Sequence, residues 1–474
     1  MRKGWIVLLA AVMVAAFALP AMADVSFFGS GRVIPTYYKD FDFDSNAADA
    51  ATLNEGGLTS GENIRSELRL GWKAGGDKWK IMMIAESDMI YNKNNADRSY
   101  YSTALAPNSN IPNAGAEFGI ERAEFSYAFT PALELFTGWP ISAVDIGTGG
   151  LLYGDDHPII GFRGKVTDNF KYQLVYISIQ NTPPAGAAQS TLSGDWRAYF
   201  LKPEFSFGTA AVKGTVSPIL LFSDNRQRNA KVTYYGVEGI GQAGMIKPSF
   251  EVIVADGEFR SPSTTDIKSL AAFAGVEVAV NKAFNPYVAL RYTKGDDNSS
   301  DTKAEGFVGI TDIGRFTPLM GMDGNILGEH LSSGGYYNSP LYSFAPERAV
   351  GGNGYGGIGN GGSGNNPGSK IIALGAKGSL DDFVKNFSYK AQIFGIWFDK
   401  TNNLSVGAGK TVSKPDKYAG TTLDLQLMYA FSPNFSANYI FSTFVPGDGI
   451  KDQQATTAND TLAMLNTLNL VWTY

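Results

Sequence analysis

The chain has 474 residues, 39 Lys and Arg against 45 Asp and Glu, a net charge of −6, no cysteine, and 44% hydrophobic residues. The acidity argues against nucleic acid as a partner, and the missing cysteines exclude disulfides and thiolate zinc clusters. Aromatic residues run along the whole length with no Pro-rich or charged linker, which favours one large repeating unit over several soluble domains.

In chain order, Arg2 and Lys3 precede an apolar run from Trp5 to Leu19, then Pro20 and the small-x-small run Ala21-Met22-Ala23. This is the pattern of a secretory signal peptide over 1–23, with Asp24 as the first residue of the exported chain. The apolar stretch is shorter than the roughly 20 residues of a membrane-spanning helix. No later run is long enough for such a helix, so a membrane span in 24–474 requires a closed β-barrel, which satisfies its backbone internally.

Period-2 alternation marks eighteen strand candidates: 25–38, 62–73, 78–91, 117–129, 132–139, 157–166, 170–180, 195–207, 210–222, 229–240, 245–255, 268–280, 285–293, 370–380, 387–399, 421–431, 435–445 and 460–474. Every second connection is short: 74–77, 130–131, 167–169, 208–209, 241–244, 281–284, 381–386 and 432–434. The others are mostly long and polar, including 39–61, 92–116, 181–194, 400–420 and 446–459. Short periplasmic turns alternating with long extracellular loops is the pattern of a transmembrane antiparallel β-barrel, and a soluble sandwich has no reason to sort its loops this way. Trp72, Trp79, Phe129, Phe170, Tyr172, Phe431, Phe435, Trp472 and Tyr474 gather at the short turns, as an interfacial aromatic girdle would. The last strand alternates Leu468, Leu470, Trp472 and Tyr474 with small or polar residues and stops on an aromatic residue. That ending resembles the assembly signal of bacterial outer-membrane barrels, with Tyr where Phe is usual.

The same alternation separates lipid from lumen. In 64–72, Ile64, Leu68, Leu70 and Trp72 face lipid while Arg65, Glu67 and Arg69 face inward, where a charge stays hydrated. It sends Lys80, Arg122, Glu124, Glu134, Arg163, Lys165, Lys171, Arg197, Lys213, Lys231, Lys247, Glu251, Glu277, Arg291, Lys377, Lys390 and Asp424 inward as well. The resulting wall leans positive inside an acidic protein. Two readings stay open: a field that concentrates anions, or cross-strand ion pairs that stiffen the wall.

Two stretches carry a family likeness. Glu121-Arg122-Ala123-Glu124-Phe125, Phe136 to Trp139, and Gly147 to Asp156 with Gly161-Phe162-Arg163 resemble the strand and loop pattern of the alginate-export-like outer-membrane porins. Thr422 to Tyr429, Ser432-Pro433-Asn434 and Phe444-Val445-Pro446-Gly447 are similar to that family's last hairpins. The resemblance implies a single eighteen-stranded barrel with a charged lumen and loops folded over or into the pore. In the alginate exporter itself the lumen is strongly arginine-rich; here arginine is sparser and mixed with lysine and carboxylates, which favours a more general pore.

The connection 294–369 is too long for a hairpin loop, and loops of this size are usually functional or disordered. Its segment 307–341 holds enough apolar residues to fold against a lumen wall, and 351–368 is mostly glycine and asparagine. An inward constriction or lid and an outward loop are both compatible with that composition. Asp296, Asp297, Asn298 and Asp301 offer oxygen ligands without the spacing of a calcium loop, so a solvated acidic turn is the expectation. The only histidines are His157 and His330. Ser332, Ser333, Asp155 and Asp156 lie near them without a supporting motif, so no catalytic residue, metal or cofactor is assigned. The expectation is a passive, weakly anion-leaning diffusion channel for small hydrophilic solutes. Its neighbours would be outer-membrane lipid, lipopolysaccharide and the barrel assembly machinery. An export or uptake channel for acidic polysaccharide, and a plugged surface adhesin or receptor, are the alternatives.

Overall fold

A computed structural model describes residues 24–40, 43, 61–90, 118–140, 142–145, 147–155, 157–180, 196–226, 229–259, 265–298, 300–310, 319, 366–457 and 461–474. The expected leader 1–23, most of the loops 39–61 and 181–194, the whole of 92–116, His330 and the stretch 351–365 lie outside these residues.

The strands are β1 (Asp24–Lys39), β2 (Gly61–Gly75), β3 (Trp79–Ile90), β4 (Phe118–Thr130), β5 (Leu133–Trp139), β6 (Ser142–Ala143), β7 (Gly154–Asp155), β8 (Ile159–Thr167), β9 (Phe170–Gln180), β10 (Trp196–Gly208) and β11 (Val212–Asn225). They continue as β12 (Ala230–Ala243), β13 (Ile246–Phe259), β14 (Thr265–Val278), β15 (Asn285–Thr293), β16 (Lys303–Ala304), β17 (Ser369–Ser379), β18 (Phe387–Phe398), β19 (Tyr418–Ser432), β20 (Phe435–Pro446) and β21 (Ala463–Thr473). All eighteen expected strands are present. β6 and β7 form a separate small ribbon, and β16 adds a short parallel pairing to β14.

Each barrel strand pairs antiparallel with its neighbours in sequence, and β1 pairs with β21, so eighteen strands close into a ring with no edge. The seam runs from Ser30 opposite Thr473 to Lys39 opposite Met464. Gly29 and Tyr474 exchange two backbone hydrogen bonds of 3.2 Å at its end. Gly29 has a steric reason there, because a Cβ would lie 2.4 Å from the Tyr474 hydroxyl. Closure on the final residue leaves no unpaired ladder facing lipid, the condition a membrane-spanning sheet must meet.

The turns fall where the short connections were expected, except that β12 runs through Ala243 and the next turn is Gly244-Met245. Gly244 has φ +58°, the left-handed geometry that suits glycine there. On the outer wall Leu68, Leu70, Phe125, Leu220, Tyr235 and Val252 are exposed, as lipid-facing residues are. Around the turn end Phe431 stacks on Phe435 and Phe435 on Trp472, at 4.9 and 4.7 Å between centroids. Phe170 stacks on Phe205 at 5.0 Å, continuing the girdle.

The core lies inside the ring. Trp196, Phe200, Leu221, Tyr234, Ile253, Phe273, Phe394 and Phe398 all point inward and are buried in the half nearer the long loops. They pack with Val144, Leu151, Leu152, Phe307 and Val308, which come from two connections folded into the barrel.

Placing Arg at Leu68, the centre of an outward row, should lower unfolding free energy by roughly 2–4 kcal/mol if that row meets the membrane midplane. Urea unfolding in phospholipid vesicles measures this, and an unchanged stability would mean that the row does not face lipid.

Candidate functional site

Among the described residues, the connection between β5 and β8 reaches across the lumen. Its shape comes from Asp145, which is fully buried. The Asp145 carboxylate accepts the N–H of Leu152 at 2.6 Å and of Tyr153 at 3.1 Å, and its carbonyl accepts the N–H of Thr148 at 3.1 Å and of Gly150 at 3.2 Å. The folded segment then docks on the far wall. Thr148 Oγ lies 2.8 Å from Glu238 on β12 and 2.8 Å from Glu251 on β13, and the Gly149 N–H donates to Glu251 at 2.7 Å. The Lys202 ammonium on β10 bonds both Glu238 and the Val144 carbonyl. Arg291 on β15 donates to the Gly150 carbonyl at 3.4 Å. One loop rooted between β5 and β8 therefore touches four strands across the ring.

The start of the connection 294–369 folds inward beside it. Phe307, Val308, Ile310 and Leu319 are buried, the Tyr234 hydroxyl donates to the Val308 carbonyl at 3.0 Å, and Ile310 N–H donates to Leu152 O at 2.8 Å. The described part of this connection thus follows the inward reading. Its acidic turn is accounted for without a cation. Asp296 accepts the N–H groups of Asn298 at 3.0 Å and Glu305 at 2.9 Å, and Asp297 pairs with Lys400 at 3.0 Å. The hydrogen bond from Lys400 holds the Asp297 carboxyl below the usual range and raises Lys400 in turn, while burial pushes Asp296 up. An exposed pair of this kind contributes little to stability.

The inward rows carry most of the expected charges, largely in pairs. Glu67 bonds Arg69 at 3.0 Å and Arg32 at 3.6 Å, and Arg69 also meets Glu86 and Glu121. Glu134 holds Arg163 through two bonds of 2.9 and 3.0 Å. Lys165 bridges Asp168 at 2.7 Å, Lys171 meets Glu204 at 3.2 Å, and Glu277 takes both Lys247 at 2.9 Å and Lys377 at 2.7 Å. Lys390 is buried 5.9 Å from the Tyr287 ring, and Asp424 accepts from Gln392 at 3.0 Å. Arg122 sits opposite Ile84 in the inward row. Arg65 lies on β2 opposite Ile34, and its side chain is outside the described residues.

Beneath the docked loop, toward the turn end, lies a cavity of ≈850 Å³ lined by Lys73, Lys80, Glu124, Ser126, Arg163 and Gln173 among others. Lys73, Lys80 and Lys213 make no salt bridge among the described residues. Of the two readings of the basic wall, ion-pair ladders describe most of it; the vestibule holds Lys73 and Lys80 together with Asp77 and Glu124, and Lys213 stands outside its lining.

Two expected positions are corrected. Arg197 and Lys231 stand on the outward face at the loop end, in register with Asp224 between them. Their strands turn Trp196, Phe200, Val232 and Tyr234 inward instead, because the folded loops make that part of the lumen a protein interior and not water. Several functional residues escaped sequence reasoning. Lys202, Glu204 and Glu238 alternate with non-polar neighbours, a signal that was there to read, whereas Glu86 runs into Ser87 and Asp88. The docked loop was signalled more weakly, by small residues at 147–150 running into Leu151-Leu152-Tyr153 in a connection expected to be polar.

No protein-family model and no curated protein sequence matches the chain. Solved structures do share its fold. OccAB2 of Acinetobacter baumannii superposes with TM-score 0.54 at 11% identity, covering 95% of this chain and 98% of that one. OprD of Pseudomonas aeruginosa gives 0.52 at 9% identity over 96% and 94%, and a BenF-like porin from Pseudomonas fluorescens Pf-5 gives 0.52 at 11% over 95% and 98%. At such identity the likeness extends to the fold, a closed eighteen-stranded barrel.

A side chain at Gly149 would meet Phe273 Cβ at 2.6 Å and Glu251 Oε2 at 2.8 Å. Gly149→Val should therefore weaken loop docking by about 1–3 kcal/mol, the usual effect of overpacking. Limited proteolysis should cut the variant within 142–155 and leave the unaltered protein whole; equal resistance would show that the loop does not depend on this approach.

Proposed function

We propose that the chain forms a passive channel in the bacterial outer membrane for small hydrophilic solutes, with a weak preference for anions. The observation that carries this reading is a closed ring whose inward rows hold charged side chains, with a loop docked across it and a vestibule lined by Lys73 and Lys80 among others below. Solutes would pass in their hydration water, with no covalent step. The preference comes from Lys73, Lys80 and Lys213, since a charge paired at contact distance contributes little net field.

The sequence likeness to the alginate-export-like porins keeps acidic oligosaccharide in view as cargo. The arginines such a cargo would need are engaged, however: Arg69 with three carboxylates and Arg163 with Glu134. The plugged adhesin or receptor draws on a different observation, the apolar packing of the outer half around Phe307 and Leu152. The channel reading also takes 1–23 as a cleaved export signal, and the exposed outer wall as the contact with lipid and lipopolysaccharide. The strand ending at Tyr474 would be what the barrel assembly machinery reads.

Reversal potentials in planar bilayers under a salt gradient test this proposal. The unaltered protein should favour anions mildly, and Lys73→Glu, Lys80→Glu and Lys213→Glu combined should turn the preference to cations. A silent protein would favour the plugged barrel, and a cation-preferring wild type would contradict the role given to these lysines.

A further inference from the structure

The contact between the docked loop and the barrel wall contains more acceptors than the visible protons can serve. Thr148 has one hydroxyl hydrogen, yet its oxygen lies 2.8 Å from a carboxyl oxygen of Glu238 and 2.8 Å from one of Glu251. The Asp145 carbonyl lies 3.1 Å from the same hydroxyl, so one hydrogen faces three acceptors, and a proton on a carboxyl group supplies the missing donor. Glu238 has the Lys202 ammonium as counter-ion. Glu251 is fully buried and, among the described residues, has no cation bonded to it and no hydrogen-bond donor to its second oxygen, Oε1. The Asp145 carboxyl of the loop is also fully buried and already accepts two backbone N–H groups. Two buried carboxyl groups within 2.8 Å of one hydroxyl cannot both be ionised without a large penalty, so Glu251, the one without a counter-ion, holds a proton.

The surrounding charges do not remove that need. β10 presents Lys202, which is taken up by Glu238 and the Val144 carbonyl. β11 presents Ser217 beside Glu238, and β14 presents Phe273 beside Glu251. β15 presents Arg291, whose guanidinium donates to the Gly150 carbonyl. Glu277, two rows nearer the turn end, is bound by Lys247 and Lys377. Glu251 belongs to the wall and Thr148 to the loop, so a proton between them joins one to the other.

We propose that a single proton on Glu251, at its contact with Thr148, latches the loop between β5 and β8 across the lumen, making Glu251 a positioning residue for the constriction. The inference rests on the channel reading and adds a regulation to it. The docked arrangement binds one proton more than a solvated, undocked one, so by linkage each rise in pH moves the balance toward release. Release widens the path.

Single-channel conductance between pH 5 and 9 tests the latch. The unaltered protein should show a steady, small conductance at acid pH and a switch to a larger one as pH rises. Glu251→Gln keeps a donor toward Thr148 and cannot ionise, so it should hold the small conductance over the whole range, with folding checked by heat-modifiable gel mobility. A variant that keeps the wild-type response overturns the proposal. Should that variant not fold, the wild-type profile decides alone, because a conductance flat in pH overturns the latch and leaves the channel standing. Silence at every pH overturns both.

Discussion

The rest of the structure depends on the pairing of the first strand with the last. A sheet in lipid must satisfy every backbone donor and acceptor within itself, since no water is there to do so. The seam between Asp24–Lys39 and Ala463–Thr473 meets that condition, and its last hydrogen bonds are those between Gly29 and Tyr474. Once the ring closes, each strand has two fixed neighbours and each residue one of two faces. A one-residue slip anywhere would send charges into lipid and leucines into the lumen, so the register is held around the whole circumference.

That two-fold periodicity explains how much was legible in the sequence. Strands such as Phe170–Gln180 and Asn285–Thr293 have the bounds their patterns imply, and the turns beside Phe170, Phe431 and Phe435 lie at the aromatic level. The inward placement of Arg69, Glu134 and Arg163 follows from the same alternation. Periodicity separates two rows of side chains, however, and does not say what each row meets. Near the turn end the inner row meets water and polar residues occupy it. Near the loop end it meets folded loops, and Trp196, Phe200 and Tyr234 occupy it instead, which is why Arg197 and Lys231 stand outside.

The constriction was hard to read for a related reason. Its chemistry is divided between a short irregular segment and strands far away in sequence: Thr148 with Glu238 and Glu251, Val144 with Lys202, and Gly150 with Arg291. No local motif announces such contacts: Glu251 and Arg291 were legible as inward charges, but nothing in the sequence joins them to Thr148 or Gly150. The long connection 294–369 was recognisable from its size, whereas the 142–155 segment is compact and owes its fold to Asp145 holding its own backbone. The lumen that results is graded, from a packed interior at one end to a lysine-bearing vestibule at the other, with ion pairs between.

The central claim is that alternate residues face lipid and an open aqueous path, and neighbouring residues on one strand test it most directly. Ser126 lines the vestibule and Phe125 is exposed on the outer wall. The chain contains no cysteine, so Ser126→Cys and Phe125→Cys would each introduce a sole thiol. During single-channel recording, a bulky, charged, water-soluble thiol reagent should reduce the current through Ser126→Cys and leave that through Phe125→Cys unchanged. Equal responses at the two positions, or a response at Phe125 alone, would contradict the account.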